Sequence, residues 1–232
     1  MKKLVVLSGS GISAESGIKT FRDMGGIWET YDVMEVASPQ AWQSDPERVL
    51  RFYNERRKIV LESSPNQGHL GLVELEKYFQ VTIITQNVDD LHERAGSKNV
   101  LHLHGEIRKA RSTADEDLIY DIDGWELKLG DYCEKGSQLR PHVVWFGEPV
   151  NAILEAASVC EKADLFVVVG TSLNVYPAAG LVDYVPRNVP IYLIDPHEVQ
   201  ASYYSKINYI REKATTGIPL LVEQLKEKYV NG

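Results

Sequence analysis

Short runs of apolar, largely β-branched residues recur along the chain at Leu4–Leu7, Val81–Thr85, Val100–Leu103, Val143–Phe146, Leu165–Val169, Ile191–Ile194 and Ile207–Ile210. Most are continuous rather than alternating, the pattern of strands in a parallel sheet covered on both faces. Helical spacing of apolar positions lies between several of them, over Pro46–Leu61, Gly68–Lys77, Asn151–Lys162 and Pro219–Tyr229. Strand and helix in alternation predict an α/β, Rossmann-like, doubly wound parallel sheet. Two stretches break the alternation. Residues 31–75 read as helical and strand-free, and residues 106–140 as polar and turn-rich, with Asp115, Glu116, Asp117, Asp121 and Asp123 close together. The pattern therefore predicts a Rossmann-like domain over 1–30, 76–105 and 141–232. A smaller lobe is expected from two insertions, 31–75 and 106–140.

Composition narrows the classes. The chain is 44% apolar and 25% charged with net charge −8, enough apolar matter for a core and no broad basic footprint for nucleic acid. The apolar run after Met1-Lys2-Lys3 stops at Leu7, too short for a secretory segment, and no run approaches the ~20 residues of a membrane span. Two cysteines, Cys133 and Cys160, make no disulfide framework. The expectation is a cytoplasmic protein, monomeric, with no nucleic-acid or membrane partner.

Directly after the first strand stands Gly9-Ser10-Gly11-Ile12-Ser13-Ala14, a G-x-G-x-x-A turn in the context that a dinucleotide fingerprint demands. Glycines let the backbone approach a pyrophosphate, and a helix start beyond them would offer free N–H groups. An ordinary glycine-rich turn is the alternative. A dehydrogenase should next run into a second strand ending in an acid. Instead Ser16–Gly26 is a polar, glycine-punctuated loop, and Glu29 and Asp32 lie on no strand.

Further polar groups fall at strand ends, where open α/β sheets bind ligands. Gln86-Asn87-Val88-Asp89 follows one strand; a helix cap would account for Asp89 but less well for Gln86 and Asn87. Leu101-His102-Leu103-His104-Gly105 follows another, and strand alternation puts His102 and His104 on one face. His104, at the tip, suits a general base. Gly170-Thr171-Ser172 ends a third strand. Within Pro46–Leu61, Val49, Tyr53, Arg56 and Val60 share one face, which makes Arg56 the one inward cation. Its fork can take a carboxylate and Tyr53 can add a hydroxyl; an arginine reaching past the stripe to solvent is the plainer reading.

Five ordered segments, Gly9–Arg22, Gln86–Asp89, His104-Gly105, Phe146-Gly147-Glu148 and Gly170-Thr171-Ser172, resemble those of sirtuins, NAD-dependent protein-lysine deacylases, from Val5 to about Leu225. Ser10 departs from the family's usual Ala. The resemblance implies NAD consumed as a co-substrate: the acyl oxygen attacks the nicotinamide ribose, nicotinamide leaves, and a histidine, here His104, deprotonates a ribose hydroxyl. It assigns Asn87 a catalytic part and, with Gln86 and Asp89, a place at the ribose and nicotinamide. Gly9, Ser10, Gly11, Ala14, Glu15, Thr20, Phe21, Arg22 and Trp28 would complete the phosphate and nicotinamide side. Gly170, Thr171, Ser172, Asp195, where the family usually has Asn, and Ala214 would lie toward the adenosine. Val144, Phe146, Gly147 and Glu148 match the segment that pairs with the backbone of an acylated-lysine peptide.

The pair Tyr53-x-x-Arg56, with Ala37 aligned to a small pocket residue, resembles the class that removes succinyl or malonyl groups. The implied reaction is removal of acidic acyl groups and acetyl from lysine, giving nicotinamide and O-acyl-ADP-ribose. Most of the family holds a zinc with four cysteines between the histidine and the F-G-E segment. Here that region has Cys133 alone and the chain has no C-x-x-C, so no metal is expected. Packing of Ile119, Tyr120, Trp125, Leu127, Leu129 and Tyr132 would then hold residues 106–140. Two alternatives keep the same site, an ADP-ribosyltransferase and a non-catalytic NAD- or ADP-ribose-sensing module.

Overall fold

The computed structural model describes residues 1–20, 33–171, 173, 176–197 and 207–231. Among them are nine strands: β1 Lys3–Ser8, β2 Gln80–Thr85, β3 Val100–His102, β4 Gly105–Ser112, β5 Ile119–Asp121, β6 Leu139–Val143, β7 Leu165–Val169, β8 Ile191–Ile194 and β9 Ile207–Ile210. Six form one sheet in the order β3-β2-β1-β7-β8-β9, every pair parallel. The α-helices are α1 Pro39–Ser44, α2 Pro46–Glu62, α3 Gln67–Leu75, α4 Leu91–Ala95, α5 Ile153–Cys160 and α6 Ala214–Tyr229.

The continuous apolar runs follow from a sheet buried twice over. Leu4, Val6, Ile83 and Val167 face one side, against Leu72 and Leu75 of α3 and Ile218 and Leu221 of α6. Val5, Leu7, Ile84 and Val168 face the other, against Ala156 and Cys160 of α5 and Leu181 and Val182 of a 3-10 turn. Strand order reverses direction between β1 and β7, the switch point outside whose carboxyl ends open α/β sheets bind ligands. Helix α3, sequentially within 31–75, packs into this large-sheet core. Helix α6 starts at Ala214, five positions before the expected Pro219, and carries that proline inside its length. A proline just after the first turn forfeits one hydrogen bond, which Ile218, Leu221, Val222 and Leu225 offset by burial.

The run Val143–Phe146 is not a parallel strand. Its start ends β6, which joins β4 and β5 in a small antiparallel sheet of order β5-β4-β6. Beyond Val143 the backbone is claimed by other partners: Trp145 donates its N–H to the Glu148 carboxylate (2.8 Å) and Phe146 donates to the Ala37 carbonyl (3.0 Å).

Helices α1 and α2 start on Ser38-Pro39 and Asp45-Pro46. Ser38 Oγ accepts from the Ala41 N–H at 3.1 Å and Asp45 Oδ1 from the Arg48 N–H at 3.0 Å, with proline preorganising each first turn. What joins the small sheet to α2 differs from expectation. Ile119, Trp125, Leu129 and Tyr132 are exposed; of the expected packing set, Leu127 is buried, with Ile122, Ala110 and Leu50. A polar staple does the rest. Asn54 Nδ2 donates to the Leu127 carbonyl (2.9 Å) and Asn54 Oδ1 accepts the Leu127 N–H (3.0 Å). Arg57, fully buried, donates to the carbonyls of Ile107 (2.6 Å) and Trp125 (2.8 Å) and to Asn54 Oδ1 (2.7 Å). Burial lowers the Arg57 guanidinium to about 10, still charged at neutral pH. Arg57, not Arg56, is thus the deepest cation on α2. Apolar spacing points to neither Asn54 nor Arg57, because both are buried by hydrogen bonding to backbone rather than by hydrophobic packing.

Candidate active site

The glycine turn after β1 folds back on the turn after β7. Gly9 donates to Val169 O (3.0 Å) and Gly11 to Gly170 O (2.9 Å). A methyl group on Gly170 would lie 2.4 Å from Ile12 N, and one on Gly11 would lie 2.6 Å from Gly170 Cα. Only glycine permits this approach, and Gly170 also has φ of +63°. The expected helix start after the turn is absent: Ser10–Ile12 and Ala14–Ser16 are two short 3-10 turns, the second closed by Gly17 in the left-handed region. Support comes from outside. Asn66, which caps α3, donates from Nδ2 to Ile12 O (2.8 Å) and Ser16 Oγ (2.9 Å).

Beside this turn the tetrad after β2 is threaded by hydrogen bonds. Asn87 Nδ2 donates to Ser13 Oγ (3.1 Å), and Ser13 Oγ donates to Asp89 Oδ2 (3.0 Å), all three residues being buried. Burial raises the Asp89 carboxyl, partly opposed by the Leu91 N–H and the Ser13 hydroxyl. Gln86 Nε2 donates to Thr171 Oγ1 (3.0 Å), joining the ends of β2 and β7 across β1. Ser13 escaped the sequence reading although it lies inside the glycine motif; its buried hydroxyl between two predicted residues is the signal.

The two histidines do share a face, and each grips the tetrad's backbone. His104 Nδ1 meets the Gln86 carbonyl at 3.0 Å and His102 Nδ1 the Asn87 carbonyl at 3.0 Å. A carbonyl only accepts, so each Nδ1 carries the proton. For His104 this makes Nε2 the basic nitrogen, and burial lowers its pKa below the usual range despite the Gln86 contact. His102 is opposite in character. Burial works against its charge, but the Glu93 carboxylate, 2.8 Å from Nε2, outweighs that and raises it.

Asp195, buried at the end of β8, accepts the His197 N–H at 2.9 Å. Ala214 opens α6 and packs with Ile12 in the core. Glu15 is bonded to Thr215 and lies 3.6 Å from Lys213 Nζ. Ser10, Ala14 and Thr20 are half-buried. Phe21, Arg22, Trp28 and Ser172 lie outside the described residues.

Tyr53, Ala37, Val88, Val143 and Trp145 belong to one apolar cluster reaching from α2 to the tetrad and the end of β6. Burial pushes the Tyr53 hydroxyl up to about 12, with the Arg56 charge opposing. Arg56 is half-buried, 5.5 Å from the Phe52 ring centre; burial lowers its pKa while Tyr53 and Asp89 work in its favour. Val144 donates to the His104 carbonyl at 2.9 Å, and Phe146 and Gly147 are exposed beyond it. Since Val144, Trp145 and Phe146 have all committed their N–H groups internally, a paired peptide would use this segment's carbonyls. Sequence spacing did not single out Trp145, which lies between predicted residues.

A Rossmann-like sheet with two glycine turns packed together at its switch point, and beside them a histidine oriented by a backbone carbonyl, has the features of a dinucleotide-dependent enzyme class. The Sir2 family model matches residues 9–177, and the chain belongs to that family. It is 54% identical over 232 residues to an NAD-dependent protein deacylase of Bacteroides thetaiotaomicron, covering 98% of this chain and 97% of that one. A Helicobacter pylori NAD-dependent protein deacylase is 52% identical over 229 residues, with 98% and 97% covered. A solved Sir2 homologue–NAD complex superposes with TM-score 0.88 at 42% identity, covering 98% of this chain and 90% of that one.

Proposed function

We propose that this protein is an NAD-dependent protein-lysine deacylase that removes succinyl or malonyl groups, and acetyl as well. One observation carries the reading: His104, oriented by the Gln86 carbonyl, stands at the same sheet end as the Gly9–Gly11–Gly170 cradle. When bound, NAD supplies the ribose carbon that accepts the acyl oxygen, and it is consumed. The Gly9–Ala14 turn, held against Gly170, is where the pyrophosphate would lie. Gln86 and Thr171 bind ribose hydroxyls, Asn87 and Asp89 orient the nicotinamide end, and His104 Nε2 takes a ribose proton. Tyr53 and Arg56 recognise the acyl carboxylate, Ala37 leaves space for it, and the carbonyls of Val144 and Phe146 pair with the peptide. The setting we infer is cytoplasmic, where the two buried thiols, Cys133 and Cys160, stay reduced.

The test is an acyl-lysine peptide panel with NAD, read by mass spectrometry. Wild type should release succinyl faster than acetyl. Arg56→Met should lower succinyl turnover about tenfold or more while sparing acetyl, the order expected when a charged hydrogen bond is lost. Equal losses on both acyl groups would overturn the carboxylate role. His104→Ala should abolish all deacylation; retained turnover would overturn its role as base.

A further inference from the structure

Trp145 is 2% exposed and belongs to the cluster that contains Ala37, Tyr53 and Val88. Its ring centre lies 5.8 Å from that of Trp42 and 6.5 Å from that of Tyr53. The Arg140 guanidinium carbon lies 3.2 Å from the same ring centre, a stacked cation.

Arg140 is itself held from three sides. Its NH1 and NH2 donate to Glu148 Oε1 (2.6 Å) and Oε2 (3.1 Å), and NH2 also donates to the Val143 carbonyl (2.9 Å). Glu148 in turn accepts the Trp145 N–H (2.8 Å) and a guanidinium N–H of Arg111 (3.3 Å). Burial alone would raise the Glu148 carboxyl; the Arg140 and Trp145 hydrogen bonds and the two arginine charges outweigh it and keep it ionised. Side-chain exposures of 9% for Arg140 and 15% for Glu148 leave little solvent screening. One fork therefore clamps both the indole, by stacking, and the backbone on which it sits, through Glu148.

We propose that Arg140 is a positioning residue for acyl-chain length: by stacking on Trp145 and gripping Glu148 it fixes that indole as a rigid wall of the acyl slot. This rests on the proposed deacylase reading, in which the cluster around Tyr53 lines the acyl site, and not on Arg56 binding a carboxylate. A large planar side chain held on one face by a guanidinium and packed on Trp42 and Tyr53 has no smaller conformation to adopt. The slot's depth is then set from outside it, by a residue that never meets the acyl group. Lysine cannot replace the planar fork.

The experiment compares Arg140→Met and Arg140→Lys with wild type on one peptide carrying acetyl-, butyryl-, hexanoyl- or succinyl-lysine. Both variants should raise the hexanoyl-to-acetyl ratio of kcat/KM roughly tenfold, the scale at which a pocket discriminates methylene groups. The KM for NAD should stay unchanged. A parallel fall for all acyl groups, full restoration by lysine, or a comparable change in the NAD KM would overturn the proposal. If Arg140→Met does not fold, Glu148→Gln takes its place and should shift the ratio in the same direction; an unshifted ratio there overturns it. The two readings fail separately. An unchanged succinyl-to-acetyl ratio in Arg56→Met sinks the carboxylate clamp alone, and an unchanged length profile at Arg140 sinks this proposal alone.

Discussion

His102 and His104 make the same contact, a ring N–H to consecutive carbonyls of one loop, yet their charges diverge. His102 has the Glu93 carboxylate on its other nitrogen and His104 has none, so burial dominates there and favours the neutral ring. A base must be neutral to act. Because burial lowers the His104 pKa, its basic form persists further into acid than that of free imidazole, at ~6.5. The acid limb of kcat/KM should therefore lie below pH ~6.5; a midpoint above 7 would contradict the assigned environment. At this scale the sequence was informative where chemistry is carried by unusual residues at strand ends. It was silent on Ser13, Asn54 and Arg57, whose roles come from partners distant in the chain.

Helix α2 shows what an element adds. Residues at helical spacing, Val49, Tyr53 and Val60, turn one face into the apolar cluster, as periodicity predicts. Asn54 and Arg57, one position along from Tyr53 and Arg56, dock the small sheet through carbonyls of Ile107, Trp125 and Leu127. Asn54→Ala would strand the Leu127 N–H and carbonyl in a buried place, a loss of roughly 2–4 kcal/mol. That corresponds to a fall in Tm of about 5–15 °C, measurable by calorimetry. A change under a degree would show that the staple is decorative. The three strands of the small sheet could not be read beforehand beyond the end of β6, since β4 and β5 carry polar residues on a half-exposed ribbon and lack the apolar runs that announce the large sheet.

For the whole molecule, the doubly wound sheet was legible, because buried parallel strands write continuous apolar runs, and so was the strand end that holds the candidate site, because polar residues gather there. The division of labour around 106–140 was not. Burial there rests on Leu127, Ile122 and Ala110 and on hydrogen bonds, while four expected core residues face solvent. Cys133, buried, donates to Ser112 Oγ at 3.3 Å, and Cys160, at the end of α5, lies in the core. Among the described residues no three His, Cys, Asp or Glu side chains converge on a metal-sized site, and no helix is long and apolar enough to cross a membrane. Elemental analysis of the purified protein should find well under one zinc per chain, and a chelator should leave Tm unmoved. Stoichiometric zinc, or a Tm that drops on chelation, would refute the expectation.

Helix α2 is thus a single rod read by two clients on neighbouring residues. For an evolving deacylase that is a ratchet: the rod cannot slide or roll to suit a new acyl group without tearing Asn54 and Arg57 from the small sheet. With Tyr53 and Arg56 as the proposed acyl site, changes of specificity are left to side-chain replacement on a stationary backbone, there and at the wall facing them. A lineage built this way would switch substrates by single substitutions, abruptly, rather than by gradual redocking of a lobe.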